Sequence, residues 1–412
     1  MTWLSWRGPF RHRNYRLFWS GQLISLAGTW MQSIAQAWLI TELTPDSIWL
    51  GVVAAAQFTP VLVFGLFGGV LADVLPKRQS LIGTQGALML LALLQALLVA
   101  LGVMSIPTLI LLAVILGTVN AIDMPIRQSF FSEMVPHDEV GRAVAFNSAM
   151  FNGARVVGPA IGGVLISIIG VAGCFAVNGA SFLATLVALL VMREVELHPA
   201  PRGVRPQDLK AVKGSLLEGL RYVRHTPIVA LCIFVIGVIS GVAMNFNVII
   251  PPLARVVLQI GAAGLGGLMA AVGLGSLFGA LTVAALREPR RKLILIGGAL
   301  LGGFSVAAGV AATSNHSAAV PLTGLALFGA GFGAISMAAT ANASIQTTTP
   351  APLRGRVMSV YTTVFAGSTP IGGLATGIAV SLLGASGALA LAGALALIAA
   401  SFATLYWRSL LR

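Results

Sequence analysis

Long apolar runs alternate with short polar segments along almost the whole chain. A helix that spans a membrane needs about 20 predominantly apolar residues, so each run predicts one spanning helix. Most of the polar segments between the runs are too short to form a domain of their own. The predicted spans are 17–41, 49–72, 79–102, 107–127, 143–167, 171–192, 227–250, 262–285, 293–313, 319–340, 357–382 and 385–407.

The basic residues predict the orientation of these spans. With the N-terminus placed inside, 23 of the 25 lysines and arginines fall in inner segments, whereas Arg255 falls outside and Arg155 falls within a span. Cytoplasmic loops of membrane proteins carry such an excess of positive charge. The pattern predicts a multi-pass protein of a bacterial-type inner membrane, with an even number of spans and both termini in the cytoplasm.

The composition excludes most soluble functions. Hydrophobic residues make up 57% of the chain and charged residues only 9%, whereas about a quarter of the residues of soluble proteins are charged. The net charge of +13 indicates attraction to anionic lipid rather than to nucleic acid, because the basic residues lie between spans. The first run is long and contains polar residues, so it predicts a retained span rather than a cleaved signal peptide.

No catalytic, cofactor or metal motif stands out in the sequence. It has neither a phosphate-binding loop nor a cluster of cysteine and histidine residues, so we expect no ATP hydrolysis, no metal site and no bound cofactor. Cys174 and Cys232 fall in different spans and are expected to be buried small side chains rather than a disulfide. The sequence therefore favours a function other than that of an enzyme.

A polar stretch divides the spans into two sets of six. We predict an N-terminal six-helix bundle over 1–192, a cytoplasmic linker with a short amphipathic helix over 193–226, and a C-terminal six-helix bundle over 227–412. A shift of 214 residues pairs Gly141-Arg142 with Gly355-Arg356, and Gly158 with Gly372. This common offset indicates an internal repeat. Parallel repeats are a transporter architecture, so the predicted fold is an all-α membrane protein of two pseudo-symmetric bundles.

The segment GLFGGVLADVLPKR (65–78) resembles the signature of the major facilitator superfamily between its second and third spans, G-x-L-A-D-x-x-G-[RK]-[RK]. Pro76 stands where that signature usually has its second glycine. Residues 120–136, 141–163 and 353–373 are similar to the enterobactin-exporter and macrolide-efflux branch of the superfamily. The resemblance covers essentially the whole chain and implies twelve spans around a central cavity that opens to one face at a time.

The same resemblance implies a secondary active transporter. We expect it to work as a monomer and to export a small amphiphilic molecule, such as a siderophore, a macrolide or another drug, driven by protons. An importer of the same fold and a non-transporting membrane sensor or scaffold remain alternatives.

The signature also predicts a gate at the inner end of the second span. In the superfamily the aspartate at the position of Asp73 faces the inner start of the eleventh span, which here follows Arg354 and Arg356. Lys77 and Arg78 lie in the adjoining loop. Together these residues would latch the cytoplasmic side, unless the basic residues serve the topology alone.

Asp123 is the carboxylate best placed for coupling. It lies near the inner end of the fourth span, four residues before Arg127, and the resemblance pairs it with a basic residue of the loop between the second and third spans, which makes Arg78 the expected partner. Asp123 either forms a structural ion pair between helices or takes up and releases the coupling proton.

Arg155 falls near the middle of the fifth span. It lies about 12 residues, or roughly 18 Å, into that span. A charge at this depth is costly and is a functional hypothesis by default. Either Arg155 faces an aqueous cavity and attracts an anionic or carbonyl-rich substrate, or it hydrogen-bonds to helix-end carbonyls or to polar side chains such as Asn147, Asn152 and Asn178.

Five polar residues of the first span recur at spacings of 3, 4, 3 and 4, which places them on one helix face. They either line a water-filled cavity, as the resemblance favours, or hold helices together. The stripe is Gln22, Ser25, Thr29, Gln32 and Gln36, with Asn245, Asn247, Thr362 and Thr363 expected to face the cavity from the other half and Gln57 and Asn120 as weaker candidates.

Gly158 and Pro159 begin a small-residue segment of the fifth span that resembles the superfamily's antiporter signature, G-x-x-x-G-P-x-x-G-G. Ala154 occupies the first glycine position. The resemblance implies that the fifth and eighth spans pack across the two halves, and it favours export. Ordinary small-residue helix packing is the alternative. The eighth span offers a similar surface at Gly264, Gly267, Ala271, Gly275 and Gly279.

Overall fold

The computed structural model describes residues 8–198, 209–286, 291–314 and 317–410 of the chain. It describes the side chains over the same ranges except at 65–74, 209–216, 351–352 and 408–410. Helices fill most of this described part, which contains no strand. The predicted all-α membrane fold is therefore confirmed. The middle of the predicted linker, 199–208, lies outside the described residues.

Twelve α-helices follow one another in the described ranges, joined by short turns and brief 3₁₀ segments. In chain order they are α1 Arg13–Leu43, α2 Ile48–Val74, α3 Lys77–Ala100, α4 Ile106–Phe130, α5 Val140–Val191, α6 Leu209–His225, α7 Pro227–Ala243, α8 Phe246–Pro252, α9 Ala262–Ala284, α10 Lys292–Ala312, α11 Ala319–Thr348 and α12 Ala351–Leu410.

All twelve predicted spans fall on these helices. Eight helical segments of the described chain are long and apolar enough to cross a membrane. Two of them, His137–Val191 and Leu353–Trp407, are 55 residues long, which is enough for two crossings each. With α1 and α2, the helices are consistent with twelve spans.

A glycine breaks each of the two longest helices at the predicted boundary between two spans. Gly170 has φ 72° within α5 and Gly384 has φ 71° within α12. Glycine adopts this left-handed conformation readily because it has no Cβ. The two glycines are 214 residues apart in the sequence, so the offset found in the sequence also relates the two breaks.

The predicted seventh span is interrupted. α7 ends at Ala243, and the chain re-enters a helix at Phe246. The side-chain amide of Asn245 turns back in this break, with Nδ2 donating to the Gly241 carbonyl oxygen at 2.6 Å. A short π-helical segment, Leu253–Val257, then follows the pair Pro251-Pro252.

The chain divides into two compact units. The first comprises Met1–Gln36 and Thr59–Arg205, and the second comprises Ala37–Phe58 and Pro206–Arg412. The predicted N-terminal bundle of 1–192 contained 37–58, which the structure places in the second unit. The reason is the close packing of α2 on α12, since a Cβ on Gly377 would lie 3.0 Å from the Ile48 carbonyl oxygen.

An aromatic cluster forms the core of the first unit where α1 begins and α4 ends. Phe18 packs edge-on against Phe130, with ring centroids 5.6 Å apart, and both side chains are buried. The Tyr15 hydroxyl donates to the Ala143 carbonyl oxygen at 3.1 Å and so ties α1 to α5. Trp30 packs at the edge of this cluster.

Glycines bring the helices of the second unit to backbone contact. A Cβ on Gly302 of α10 would lie 2.7 Å from the Gly393 carbonyl oxygen of α12. A Cβ on Gly333 of α11 would lie 2.6 Å from the Gly297 carbonyl oxygen of α10. Small residues at helix interfaces of membrane proteins permit such close approach.

Candidate functional site

Arg155 sits at the middle of the first helical part of α5, fifteen residues from both Val140 and Gly170. At 1.5 Å per residue, it is about 22 Å from either end. Its guanidinium carbon lies 5.7 Å from the ring centroid of Trp30 in α1. The side chain is partly exposed. The geometry is that of a cation–π contact at mid-depth.

The polar side chains expected to bind Arg155 have other partners. Asn152 donates to the Ser148 carbonyl oxygen at 2.8 Å, and Asn178 donates to the Gln32 side chain. In the part of the chain that the structure describes, the Arg155 guanidinium has neither a hydrogen bond nor an ion pair. The hydrogen-bonded alternative is therefore not what the structure shows.

A second arginine–tryptophan stack lies in the second unit, at the predicted outer surface. The Arg255 guanidinium carbon lies 5.2 Å from the Trp38 ring centroid. Arg255 Nη1 donates to Thr41 Oγ1 at 3.1 Å and lies 4.0 Å from Glu42 Oε1. The Trp38 indole also donates to that carboxylate oxygen, at 2.8 Å. Arg255 thus binds protein oxygens, which Arg155 does not do in the described part of the chain.

The polar stripe of α1 mostly connects helices. Gln32 donates to Gln95 Oε1 of α3 at 2.8 Å and accepts a hydrogen bond from Asn178 Nδ2 of α5. All three side chains are buried. Gln22 is also buried, and its Oε1 accepts from Arg127 Nη1 at 3.1 Å. These contacts favour the helix-packing alternative for Gln22 and Gln32.

The rest of the stripe is divided between buried and exposed positions. Ser25 and Gln36 are buried. Thr29 is exposed, although its hydroxyl donates to the Ser25 carbonyl oxygen at 2.9 Å. Of the five stripe residues, only Thr29 is exposed.

Asp123 is fully buried between α3 and α4. Its Oδ1 accepts hydrogen bonds from Thr84 Oγ1 at 2.7 Å and from Gln85 Nε2 at 2.8 Å. Its Oδ2 lies 3.4 Å from Arg127 Nε, one helical turn away. Arg127 also donates to Gln22 Oε1, and this hydrogen bond connects α4 with α1.

The expected pair between Asp123 and Arg78 does not form. Arg78 instead donates from Nε to the Leu189 carbonyl oxygen at 2.7 Å and from Nη2 to the Leu190 carbonyl oxygen at 3.1 Å, and it pairs with Glu194. A cation is stabilised there because the last carbonyl oxygens of a helix carry partial negative charge. Arg78 therefore binds the C-terminal end of α5 instead of Asp123.

Lys77 and Arg356 form ion pairs within their own units. Lys77 Nζ lies 2.6 Å from Glu133 Oε1, with both side chains largely buried. Arg356 pairs with Glu218 of the amphipathic helix α6. Arg354 is exposed. The side chain of Asp73 lies outside the described residues, so the predicted latch remains a proposal.

The antiporter-like glycines of α5 pack against α1. A Cβ on Gly158 would lie 2.5 Å from Trp30 Cβ, and one on Gly162 would lie 3.0 Å from Met31 Cγ. Pro159 is buried beside them. In α9, a Cβ on Gly279 would lie 2.6 Å from the Phe332 carbonyl oxygen of α11. Gly158, Gly162 and Gly279 therefore pack within their own units, and the expected seam between the fifth and eighth spans stays a prediction.

The candidates from the second half are dispersed. Asn245 is buried in the break between α7 and α8, whereas Asn247 is exposed. Thr362 and Thr363 are exposed on α12, and the Thr362 hydroxyl donates to the Met358 carbonyl oxygen at 3.0 Å. The two weaker candidates, Gln57 and Asn120, are partly buried, and Asn120 donates to the Leu116 carbonyl oxygen at 2.9 Å.

Residues 4–410 match the family described as transmembrane secretion effectors. The chain belongs to this family. It is thus a transporter of the major facilitator superfamily, and the family and branch that the motifs indicated are confirmed.

Several bacterial transport proteins are similar to this chain. The chain is 29% identical to the multidrug efflux pump Tap of Mycolicibacterium fortuitum over 366 residues, 84% of each protein. It is 28% identical to the enterobactin exporter EntS of Shigella flexneri over 296 residues, 71% of this chain and 68% of that protein. A shorter match, 26% over 154 residues, covers 37% of this chain and 39% of the staphyloferrin A transporter of Staphylococcus aureus.

The fold is shared with solved transporters. A bacterial homologue of the human lysosomal transporter Spinster superposes with a TM-score of 0.74 at 15% identity, covering 96% of this chain and 97% of that one. At this identity the likeness shows the fold alone, which agrees with the helical architecture described above.

Sequence reasoning missed the partners of several charged residues. Trp30, Glu133 and Glu218 each contact a residue singled out from the sequence. The two glutamates lie in polar segments between predicted spans, where a charged residue carries little information by itself. Trp30 lies one position from Thr29, but aromatic residues are common in spans. Only their contacts in the folded protein distinguish these three residues from other residues of the same types.

Proposed function

We propose that this transporter exports a small amphiphilic molecule, by alternating access and at the expense of the proton gradient. The observation that carries the proposal is the family match over nearly the whole chain. Relatives whose names describe a multidrug efflux pump and an enterobactin exporter align over most of their lengths and support export over import.

Asp123 is the coupling carboxylate in this proposal. It lies within a span and is fully buried, and it forms an ion pair in which its Oδ2 lies 3.4 Å from Arg127 Nε. Its Oδ2 has no hydrogen-bond partner, so protonation of this oxygen breaks no hydrogen bond. Protonation would neutralise the carboxylate that holds Arg127. Arg127 would then be free to move together with α1, to which it is hydrogen-bonded at Gln22. Intramembrane carboxylates serve as proton relays in many transporters.

Cellular accumulation tests the proposal. We expect cells that overproduce the transporter to hold less of at least one amphiphilic dye than cells lacking it, and a protonophore to abolish the difference. The Asp123→Asn variant should reach the membrane but lose the protonophore-sensitive difference. A Glu196→Gln variant, which changes a partly exposed carboxylate on the inner side, is the matched control and should export as the wild type does.

The other outcomes separate the alternative functions. Higher accumulation on overproduction would indicate import, and unchanged accumulation for every amphiphilic dye would favour a sensor or scaffold. Full protonophore-sensitive export by Asp123→Asn would show that Asp123 does not couple transport to protons.

A further inference from the structure

We propose that Arg155 and Trp30 form the site that binds an anionic oxygen group, such as a carboxylate, of the exported molecule. This inference rests on the proposed export function and adds the charge class of the substrate. It makes Arg155 the residue that distinguishes anionic from cationic amphiphiles.

The charge of Arg155 lacks a counter-charge in the described protein. An arginine offers five N–H donors, and none of those of Arg155 is bound by the described residues. A cation at mid-depth of a membrane is costly unless it is paired or meets water. Arg155 is partly exposed, so the missing anion can be supplied by a ligand.

The surroundings hold the guanidinium ready for such a ligand. Trp30 packs edge-on against Phe151, with ring centroids 5.8 Å apart and an interplanar angle of 74°. The absence of a side chain at Gly158 allows Trp30 to lie close to α5. The fixed indole supports one side of Arg155. A guanidinium held in this way presents parallel N–H groups that match the two oxygens of a carboxylate.

The second arginine–tryptophan stack provides the comparison within the same chain. Arg255 lies on Trp38 in a similar arrangement, but Thr41 Oγ1 and the carboxylate of Glu42 already face its Nη1. None of the described residues supplies the corresponding anion at Arg155. Asp123, the acidic residue of the neighbouring span, is occupied by Arg127. The difference between the stacks indicates that the anion at Arg155 comes from the substrate.

Two dyes with the same fused three-ring skeleton and opposite charge test the inference. Fluorescein is an anion at pH 8 and rhodamine 123 a cation, and their binding to the purified protein in lipid nanodiscs is measured by fluorescence anisotropy. We expect the wild type to bind fluorescein at least tenfold more tightly than rhodamine 123. Arg155→Gln should weaken fluorescein binding at least tenfold and change rhodamine 123 binding less than threefold.

Further variants keep the test decisive. Arg155→Lys retains the charge without the paired donors, and Trp30→Phe retains an aromatic ring, so both should weaken fluorescein binding by an intermediate factor. Arg255→Gln is the matched control and should bind fluorescein as the wild type does. If Arg155→Gln does not elute as a monodisperse protein, the lysine and phenylalanine variants supply the measurement.

The results that overturn the anion site differ from those that overturn export. Fluorescein binding that is absent in the wild type, or unchanged in Arg155→Gln and Arg155→Lys, removes the anion site. Unchanged cellular accumulation of every dye removes the export function, even if fluorescein binds at Arg155. A transporter that exports rhodamine 123 but binds fluorescein independently of Arg155 retains the proposed function and loses only the anion site.

Discussion

At the scale of single residues, neighbouring groups decide what a polar side chain does inside this protein. Arg155 and Arg255 both lie on tryptophan rings, but among the described residues only Arg255 has a carboxylate within 4.0 Å. Gln32 and Thr29 lie on the same face of α1, but Gln32 is buried in contacts with two other helices and Thr29 is exposed. Residue type and spacing alone do not separate these cases.

The Gln32 contacts predict a measurable cost of substitution. Gln32→Leu should leave Gln95 and Asn178 buried without their partner and lower the free energy of unfolding by about 1–2 kcal/mol, since hydrogen bonds between membrane helices contribute up to this amount. The measurement is thermal unfolding of the purified protein in detergent.

Thr29→Val is the matched control for this measurement. Among the described residues its hydroxyl bonds only to the backbone of its own helix, so its removal should change the free energy of unfolding by less than about 0.5 kcal/mol. Equal unfolding temperatures for the two variants would contradict the packing role of Gln32.

At the scale of helices, glycines set how closely the elements approach. The contact between α7 and α12 shows this directly, because a Cβ on Gly372 would overlap the Gly241 carbonyl group. A backbone carbonyl cannot rotate away as a side chain can. The helices must therefore separate if Gly372 gains a side chain.

The Gly372→Ala variant should consequently be destabilised. Overpacking of a close contact costs typically 1–3 kcal/mol, and we expect a lower unfolding temperature and a lower yield of monodisperse protein. Gly267→Ala is the control, because nothing lies within 4 Å of the added Cβ and the position is exposed on α9. Alanine there should be neutral or stabilising, since alanine has a higher helix propensity than glycine. A larger loss at Gly267 than at Gly372 would refute this account.

At the scale of the whole molecule, the distribution of charge predicts the topology. The predicted orientation places the turn between α3 and α4 outside and the segment after α5 inside. Each carries an exposed valine, Val103 at 59% and Val195 at 98% relative exposure. The native cysteines are buried, so single introduced cysteines at these valines report on accessibility.

Labelling of intact cells checks this topology. A membrane-impermeant maleimide should modify Val103→Cys without any treatment, and Val195→Cys only after the membrane is permeabilised. The reverse pattern would place both termini outside and would contradict the orientation deduced from the basic residues.

The sequence by itself determined the spans, the repeat and the family. Apolar runs long enough to cross a membrane have few alternatives to a helix, because every backbone polar group must find its partner within the segment. The offset of 214 residues, read from Gly141 and Gly355, reappears in the breaks at Gly170 and Gly384. The apolar runs are local and the repeat is a regular offset, so both can be recognised in the sequence without knowledge of tertiary contacts.

Only the tertiary structure decided the pairing of charged and polar groups. It brought Asp123 to Arg127 rather than to Arg78, and it gave Arg78 the carbonyl oxygens at the end of α5. It placed 37–58 with the second unit. Such pairings depend on which helix faces meet. Several residues, at different distances along the sequence, compete to pair with the same charged group. That competition is settled only when the helices are packed in three dimensions.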